Sequence, residues 1–154
     1  MSELTRPVIA QSDDNGEARA AVEALVAQLQ TGWDRHDAEI TDRYFSADIA
    51  WGSPYGATVH GFDNLYAIHQ QLKEQSRGGP GARYEIDRVL LISTDVIVAH
   101  VARLTLDQNG DPIRPSNDES AAFSEMAMYV LVRRGAQWWL AAGQNTPIRP
   151  GGAA

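Results

Sequence analysis

Two adjacent tryptophans, Trp138 and Trp139, open the last strongly apolar stretch of the chain. They follow the apolar residues 130–132 and a short turn that contains Gly135, a pattern that predicts a β-hairpin. Successive side chains of a strand point to opposite faces of the sheet. The two indole rings therefore cannot share one core, and both faces of the sheet need cover at this point. Helices of the same domain would cover one face, and a second subunit could cover the other.

The same strand ends in polar, uncharged residues. Gln144, Asn145 and Thr146 lie at its end, and Pro147 then stops further pairing. Such side chains either bond to nearby loop backbone or point into a cavity, and both interpretations stay open at this stage.

The first half of the chain predicts helices. Apolar residues recur at three- and four-residue steps from Gly16, which predicts a first helix that ends near Trp33. Asp37 is predicted to cap a short second helix that runs through Phe45, a more natural role for it than that of a catalytic base. A third helix is predicted to begin near residue 63.

The second half of the chain predicts strands. Between the second and third helices, residues 47–53 form a short strand and residues 57–60 return along it. The later strands are predicted at residues 84–93, 95–106, 121–134 and 137–147. Hairpin-type turns join them, so the sheet is predicted to be mainly antiparallel. Helices followed by strands indicate an α+β fold.

Composition limits the number of domains and the class of partner. The 154 residues suit a single domain, predicted at 16–149, with a flexible arm at 1–15 and a flexible tail at 150–154. A net charge of −7 argues against nucleic acid as a partner. The chain has no cysteine, which excludes disulfides, thiol nucleophiles and Cys-ligated zinc.

The sequence gives no sign of a membrane or of a bound metal. No apolar run approaches the ~20 residues of a membrane span, and the N-terminus lacks the apolar core of a signal peptide. We therefore expect a cytoplasmic protein without a membrane partner. The four histidines lack ligand spacing, so neither a metal site nor a cofactor is predicted.

Short matches to a known family extend from about Val22 to Pro147. They are Trp33, Asp37, Asp48, Gly61, Leu65, His69, Asp95, Val96 and the closing residues 144–147. In this order the chain resembles the SgcJ/EcaC group of the nuclear-transport-factor-2-like superfamily, which also contains SnoaL-type polyketide cyclases and ketosteroid isomerases. The resemblance implies a cone, in which three helices pack on a strongly curved mixed, mainly antiparallel sheet around an internal pocket. It also implies a homodimer formed through the sheet.

Side-chain parity gives a candidate lining for this pocket. Met126 and Met128 share one face of the penultimate strand, and Glu125 lies on the other. Asn145 is predicted to share a face with Trp139 and to point into the pocket. The full set of predicted ligand-binding residues is Trp33, Trp51, Tyr55, His69, Met126, Met128 and Asn145. The alternative is that these residues are ordinary core.

Catalytic candidates are few. His69 on the third helix is the first candidate for acid–base work, and Asn145 could orient a substrate oxygen. The resemblance to ketosteroid isomerases places Ser53, Leu29 and about Met128 where those enzymes carry their base and oxyanion hole. None of the three can play its role, so steroid-type isomerisation is not expected.

Two functional hypotheses result, with a third less supported. The preferred one is binding of a hydrophobic, aromatic or polyene-like small molecule, with a cofactor-free cyclisation, isomerisation or dehydration in bacterial secondary metabolism of polyketide or enediyne type. The alternative is a non-catalytic dimeric binding or association module. The third hypothesis is hydrolysis by an Asp-Arg-Asp set, but the sequence does not pair Arg88 or Arg103 with carboxylates on the right sheet face.

Overall fold

A computed structural model describes residues 3–151. Residues 1–2 of the predicted arm and 152–154 of the predicted tail lie outside the described residues. The elements in chain order are β1 (Gln11–Ser12), α1 (Glu17–Arg35), α2 (Ala38–Thr41), β2 (Phe45–Gly52), β3 (Thr58–His60), α3 (Phe62–Gln75), β4 (Ala82–Ser93), β5 (Val96–Thr105), β6 (Glu125–Arg134) and β7 (Gln137–Pro147).

The strands form one mixed sheet in the order β1-β4-β5-β6-β7-β2-β3. Strands β4 to β7 make an antiparallel meander, and β2 joins β7 as the parallel pair. Register shifts on β4, on β2 and between β6 and β7 bend the sheet around the helices, since each extra residue kinks its strand. The predicted α+β cone of three helices on a mixed, mainly antiparallel sheet is confirmed.

The core lies between the helices and the concave face of the sheet. Val22 of α1 and Leu65 of α3 are fully buried there, as are Ile97, Leu131 and Leu140 of the sheet. These side chains contact one another across the layer and exclude water, which is the main stabilising term for such a fold.

The tryptophan pair does point to two faces. Trp138 packs against the core, whereas Trp139 lies on the other face with its ring 6.3 Å from that of Tyr44. The register then shifts: Leu140 pairs with Leu131, but Ala142 pairs with Val130. Ala141 is the extra residue of this bulge. The prediction that Trp139 and Asn145 share a face is therefore wrong, because the bulge reverses the parity between them.

The second helix is shorter than predicted. It ends at Thr41, and the chain turns at Asp42 before β2 begins at Phe45, whose N–H donates to the Asp42 carbonyl at 3.0 Å. The capping role of Asp37 is confirmed, since its carboxylate accepts from the Glu39 N–H at 2.9 Å.

The N-terminal segment contributes a strand that the sequence did not predict. Gln11 and Ser12 pair with Leu91 and Leu90 at the edge of the sheet. Two polar residues carry no apolar alternation, so no pattern marks them as β. The flexibility of the arm and tail stays a prediction.

Replacement of Asp37 tests its role as the cap of α2. We expect Asp37→Ala to lower the free energy of unfolding by about 1 kcal/mol, since two N–H groups lose their acceptor. Asp37→Asn keeps an acceptor oxygen and should stay close to wild type in urea unfolding. Equal losses in both variants would contradict a hydrogen-bonding cap.

Replacement of Gly143 tests the close contact of β7 with the Trp51 and Tyr129 rings. A Cβ at this position would lie 2.9 Å from Cζ3 of Trp51 and 3.1 Å from Cδ1 of Tyr129. We expect Gly143→Ala to destabilise the protein by about 1–3 kcal/mol and to change tryptophan fluorescence, because Trp51 must move. Ala136→Ser, in the exposed turn before β7, should stay within about 0.5 kcal/mol of wild type. An unchanged melting curve for Gly143→Ala would refute this packing.

Candidate functional site

The cone encloses a cavity of about 520 Å³ between the three helices and the concave face of the sheet. Aliphatic and aromatic side chains dominate its wall, and polar groups occupy two places in it. The lining residues include Leu29, Trp33, Asp42, Phe45, Trp51, Ser53, Tyr55, Leu65, Ile68, His69, Leu72, Lys73, Tyr84, Arg103, Glu125 and Asn145. Size and composition are those of a site for a small organic molecule.

A histidine–carboxylate pair forms the first polar place. His69 Nδ1 lies 2.8 Å from both carboxylate oxygens of Asp42. The Asp42 side chain is 1% exposed and that of His69 is 16% exposed. An ionised carboxylate only accepts hydrogen bonds, so Nδ1 carries the proton and donates it.

A hydroxyl group and aromatic rings surround this pair. Asp42 follows α2 directly, and Thr41 Oγ1 lies 2.9 Å from its Oδ1, within donating distance. The His69 ring meets Trp51 edge-on at 5.4 Å and Phe45 at 6.1 Å between centroids. Trp51 itself stacks on Phe45 at 5.6 Å. The imidazole therefore has little freedom to rotate.

This geometry defines what His69 can do chemically. With the proton fixed on Nδ1, Nε2 is the free acceptor of the neutral ring. No described residue of 3–151 forms a hydrogen bond with Nε2. A base whose other nitrogen is oriented by a buried carboxylate is the arrangement that general acid–base catalysis uses.

A cluster of charged groups forms the second polar place. Tyr84, Arg103 and Glu125 are direct neighbours across β4, β5 and β6. Arg103 Nη2 pairs with Glu125 Oε1 at 3.1 Å, and its guanidinium lies 4.7 Å from the Trp33 ring centroid. Lys73 Nζ lies 4.5 Å from the same centroid. Trp33 thus contacts two cations.

Burial shifts the pKa of two groups in this cluster. It lowers the pKa of Lys73 to about 8; the nearby Arg103 acts in the same direction, and Asp42 and Glu125 oppose it. Burial also raises the pKa of Tyr84 well above its ordinary value, so this phenol stays a neutral hydrogen-bond donor.

Five of the seven residues predicted to bind a ligand line the cavity. They are Trp33, Trp51, Tyr55, His69 and Asn145. Tyr55 is 81% exposed and lies at the rim. The Asn145 amide donates to the Gly52 carbonyl at 2.9 Å, so it also ties β7 to β2. Binding by these residues stays a prediction.

The predicted placement of Met126 and Met128 in the pocket is wrong. Met128 is 45% exposed on the outer face of the sheet, and neither methionine lines the cavity. The inner face of β6 is the one that carries Glu125, Ala127 and Tyr129. The ion pair with Arg103 allows Glu125 to lie on the inner face.

The sequence reasoning missed Asp42 and Lys73 and left Arg103 unpaired. Asp42 lay inside the over-long second helix, where an aspartate is unremarkable. Lys73 follows His69 by four residues, which places both on one side of α3 and was a readable signal. The carboxylate that Arg103 lacked in the sequence reading is Glu125.

Two further structural findings apply to residues 3–151. In that part of the chain no three His, Cys, Asp or Glu side chains are grouped so as to hold a metal ion. No helix there is long and apolar enough to cross a membrane.

Solved structures share this fold. A protein of unknown function with a cystatin-like fold from Nostoc punctiforme superposes with a TM-score of 0.72 at 19% identity, over 88% of this chain and 80% of that one. A ketosteroid isomerase-like protein from Erwinia carotovora gives 0.65 at 18%, over 88% and 100%. A protein described as a calcium/calmodulin-dependent protein kinase type II association domain, from Thiobacillus denitrificans, gives 0.66 at 14%, over 82% and 94%. At these identities the similarity shows the fold alone.

By sequence, no protein of curated function matches the chain. The family model of the SnoaL-like domain matches residues 22–140, from the first third of α1 to the fourth residue of β7. That span is well over half of the chain and includes both polar places of the cavity, whereas Asn145 lies beyond it. The chain therefore belongs to the SnoaL-like domain family.

Proposed function

We propose that the cavity binds a hydrophobic, aromatic or polyene-like small molecule and that His69 moves a proton on it without a cofactor. The observation that carries this proposal is the hydrogen bonding of His69 Nδ1 to both oxygens of the buried Asp42 carboxylate. A histidine that served only to fill the core would need no ionised partner held out of water, because burying a charge is costly.

The reaction class follows from the groups present. His69 Nε2 would remove a proton from a carbon next to a carbonyl, and Asp42 would stabilise the imidazolium that forms. The same nitrogen would return the proton at another atom, which gives an isomerisation, or assist loss of water or ring closure. Tyr84, kept neutral by burial, would donate a hydrogen bond to the substrate oxygen.

The finer assignment is also a proposal. The residues that resemble the SgcJ/EcaC group include His69 and the closing residues 144–147, and they suggest a role in bacterial secondary metabolism of polyketide or enediyne type. The apolar wall formed by Leu29, Leu65 and Leu72 suits a large hydrocarbon body.

Exchange of carbon-bound hydrogen on a probe ketone tests the base. We expect the protein to accelerate deuterium uptake by the aromatic ketone 2-tetralone in heavy water, measured by mass spectrometry. His69→Gln should lower the accelerated rate about 10²–10⁴-fold, since the proton acceptor is lost. Asp42→Asn should give a smaller loss, because an amide oxygen can still accept from Nδ1 but carries no charge.

Thermal unfolding of each variant serves as the control for folding. Ile68→Ala, on the same helix and at the same cavity, removes only apolar contact and should retain most of the exchange rate. Acceleration that survives His69→Gln would refute the role of His69. Binding of 2-tetralone without any acceleration would support the non-catalytic alternative.

A homodimer through the outer face of the sheet is the second part of the proposal. Met128 is exposed there beside the half-buried Val130 and Ala142, which makes an apolar strip on the face that no helix covers. Such a strip suits association of two copies, and it is the observation that favours the association-module alternative.

Light scattering tests the dimer. We expect the protein to have twice the mass of one chain at micromolar concentration. Met128→Glu should shift it to single chains while the exchange rate per chain is retained, because the cavity lies on the opposite face. Val8→Glu, at a residue that is 93% exposed in the N-terminal segment, is the matched control and should change nothing. A wild-type protein that runs as single chains would contradict the proposal.

A further inference from the structure

Lys73 is the only lysine of the chain; the other basic side chains, apart from the four histidines, are arginines. It lies on α3 one turn after His69 and lines the same cavity. An arginine is permanently charged, whereas the charge of a lysine amine depends on its surroundings. The one amine side chain of this protein is therefore placed where a ligand would lie.

The two carboxylates of the cavity already have partners. Asp42 bonds to His69, and Glu125 pairs with Arg103. In the described part of the chain, no carboxylate forms an ion pair with Lys73, although it is half-buried. Its nearest aromatic contact is the Trp33 ring, which the Arg103 guanidinium also touches. A charged amine here lacks a counter-ion.

Groups from every surrounding element act on this amine. Burial is the main cause that lowers its pKa to about 8; Asp42 after α2 and Glu125 of β6 oppose this shift, and Arg103 of β5 adds to it. Tyr84 of β4 is neutral, and α3 itself contributes His69. Helix α1 contributes the uncharged Trp33. The next residue, Asp34, accepts a hydrogen bond from the Gln30 side chain.

We propose that Lys73 is the counter-ion for a carboxylate group on the aromatic ligand, and that it takes up its full charge when that ligand binds. This inference rests on the proposed function, since it places an anionic end on the small molecule of the same cavity. Arg103 lines the same cavity and contacts the same Trp33 ring as Lys73, so its positive charge would also face the carboxylate. The remainder of the ligand would extend along the apolar wall toward His69.

The affinity for a carboxylate ligand should depend on pH. A carboxylate favours the charged amine, so its affinity should be constant below the pKa of about 8 in the free protein. Above that pH a proton must be taken up on binding, and the affinity should fall about tenfold per pH unit. An uncharged ligand of the same shape should show no such fall.

Cinnamate and cinnamamide form the matched pair of probes, compared by calorimetry between about pH 7 and pH 10. At the lower pH we expect cinnamate to bind at least about tenfold more tightly than cinnamamide. At the higher pH this difference in affinity should disappear. Lys73→Met should abolish the preference and leave cinnamamide affinity unchanged, which also shows that the cavity is folded. Lys73→Arg should keep the preference at both pH values, because the guanidinium stays charged.

Incorporation of lysine labelled with carbon-13 at Cε gives a second readout, because the chain has a single lysine. The one signal should titrate near pH 8 in the free protein and at higher pH with cinnamate, but not with cinnamamide. Equal affinity for both probes, unaffected by Lys73→Met, would overturn this inference and leave the proposed function standing. Failure of both probes to bind would contradict the proposed function and this inference with it.

Discussion

The contact between the Asp42 carboxylate and His69 is the interaction on which the rest of the site depends. A carboxylate that is 1% exposed is stable only if hydrogen bonds replace its lost hydration. His69 Nδ1 supplies one hydrogen-bond donor, and the Thr41 hydroxyl lies close enough to supply a second. This contact joins the end of α2 to α3, and the imidazole lies edge-on against Trp51.

The shape of the sheet provides the space in front of that pair. The bulge at Ala141 brings Leu140, Gly143 and Asn145 to the same concave face. Because Gly143 has no side chain, Trp51 can lie flat against the strand and leave the centre of the cone open. Asn145 then joins the ends of β7 and β2 through its bond to Gly52. Backbone irregularity, and not side-chain size alone, makes the cavity.

Much of the fold could be predicted from the sequence because hydrophobic spacing is a local signal. The periodic apolar residues of α1 and the closing hairpin with its two tryptophans were predicted near their observed positions. The inner face of β6 was assigned incorrectly, because both faces of that strand carry apolar residues and the face with the two methionines, opposite Glu125, was taken as the inner one. Only the neighbouring strand, which brings Arg103 beside Glu125, resolves the choice.

The site was less predictable for a physical reason. His69 could be proposed from its position on a helix, but its partner Asp42 is 27 residues away in the chain and becomes a neighbour only through the packing of α2 against α3. No local pattern distinguishes that aspartate from Asp37, which is a helix cap. Pairings between elements are set by tertiary structure, and in this protein they carry the chemistry.

The most direct test of this account is the tautomer of His69, measured by nitrogen-15 NMR at mildly alkaline pH, where the imidazole ring is neutral. The account predicts a proton on Nδ1, with Nε2 showing the shift of an unprotonated nitrogen, and a change of this signature in Asp42→Asn. A ring with its proton on Nε2, unaffected by Asp42→Asn, would contradict the claim that a buried carboxylate prepares His69 as the base of the cavity.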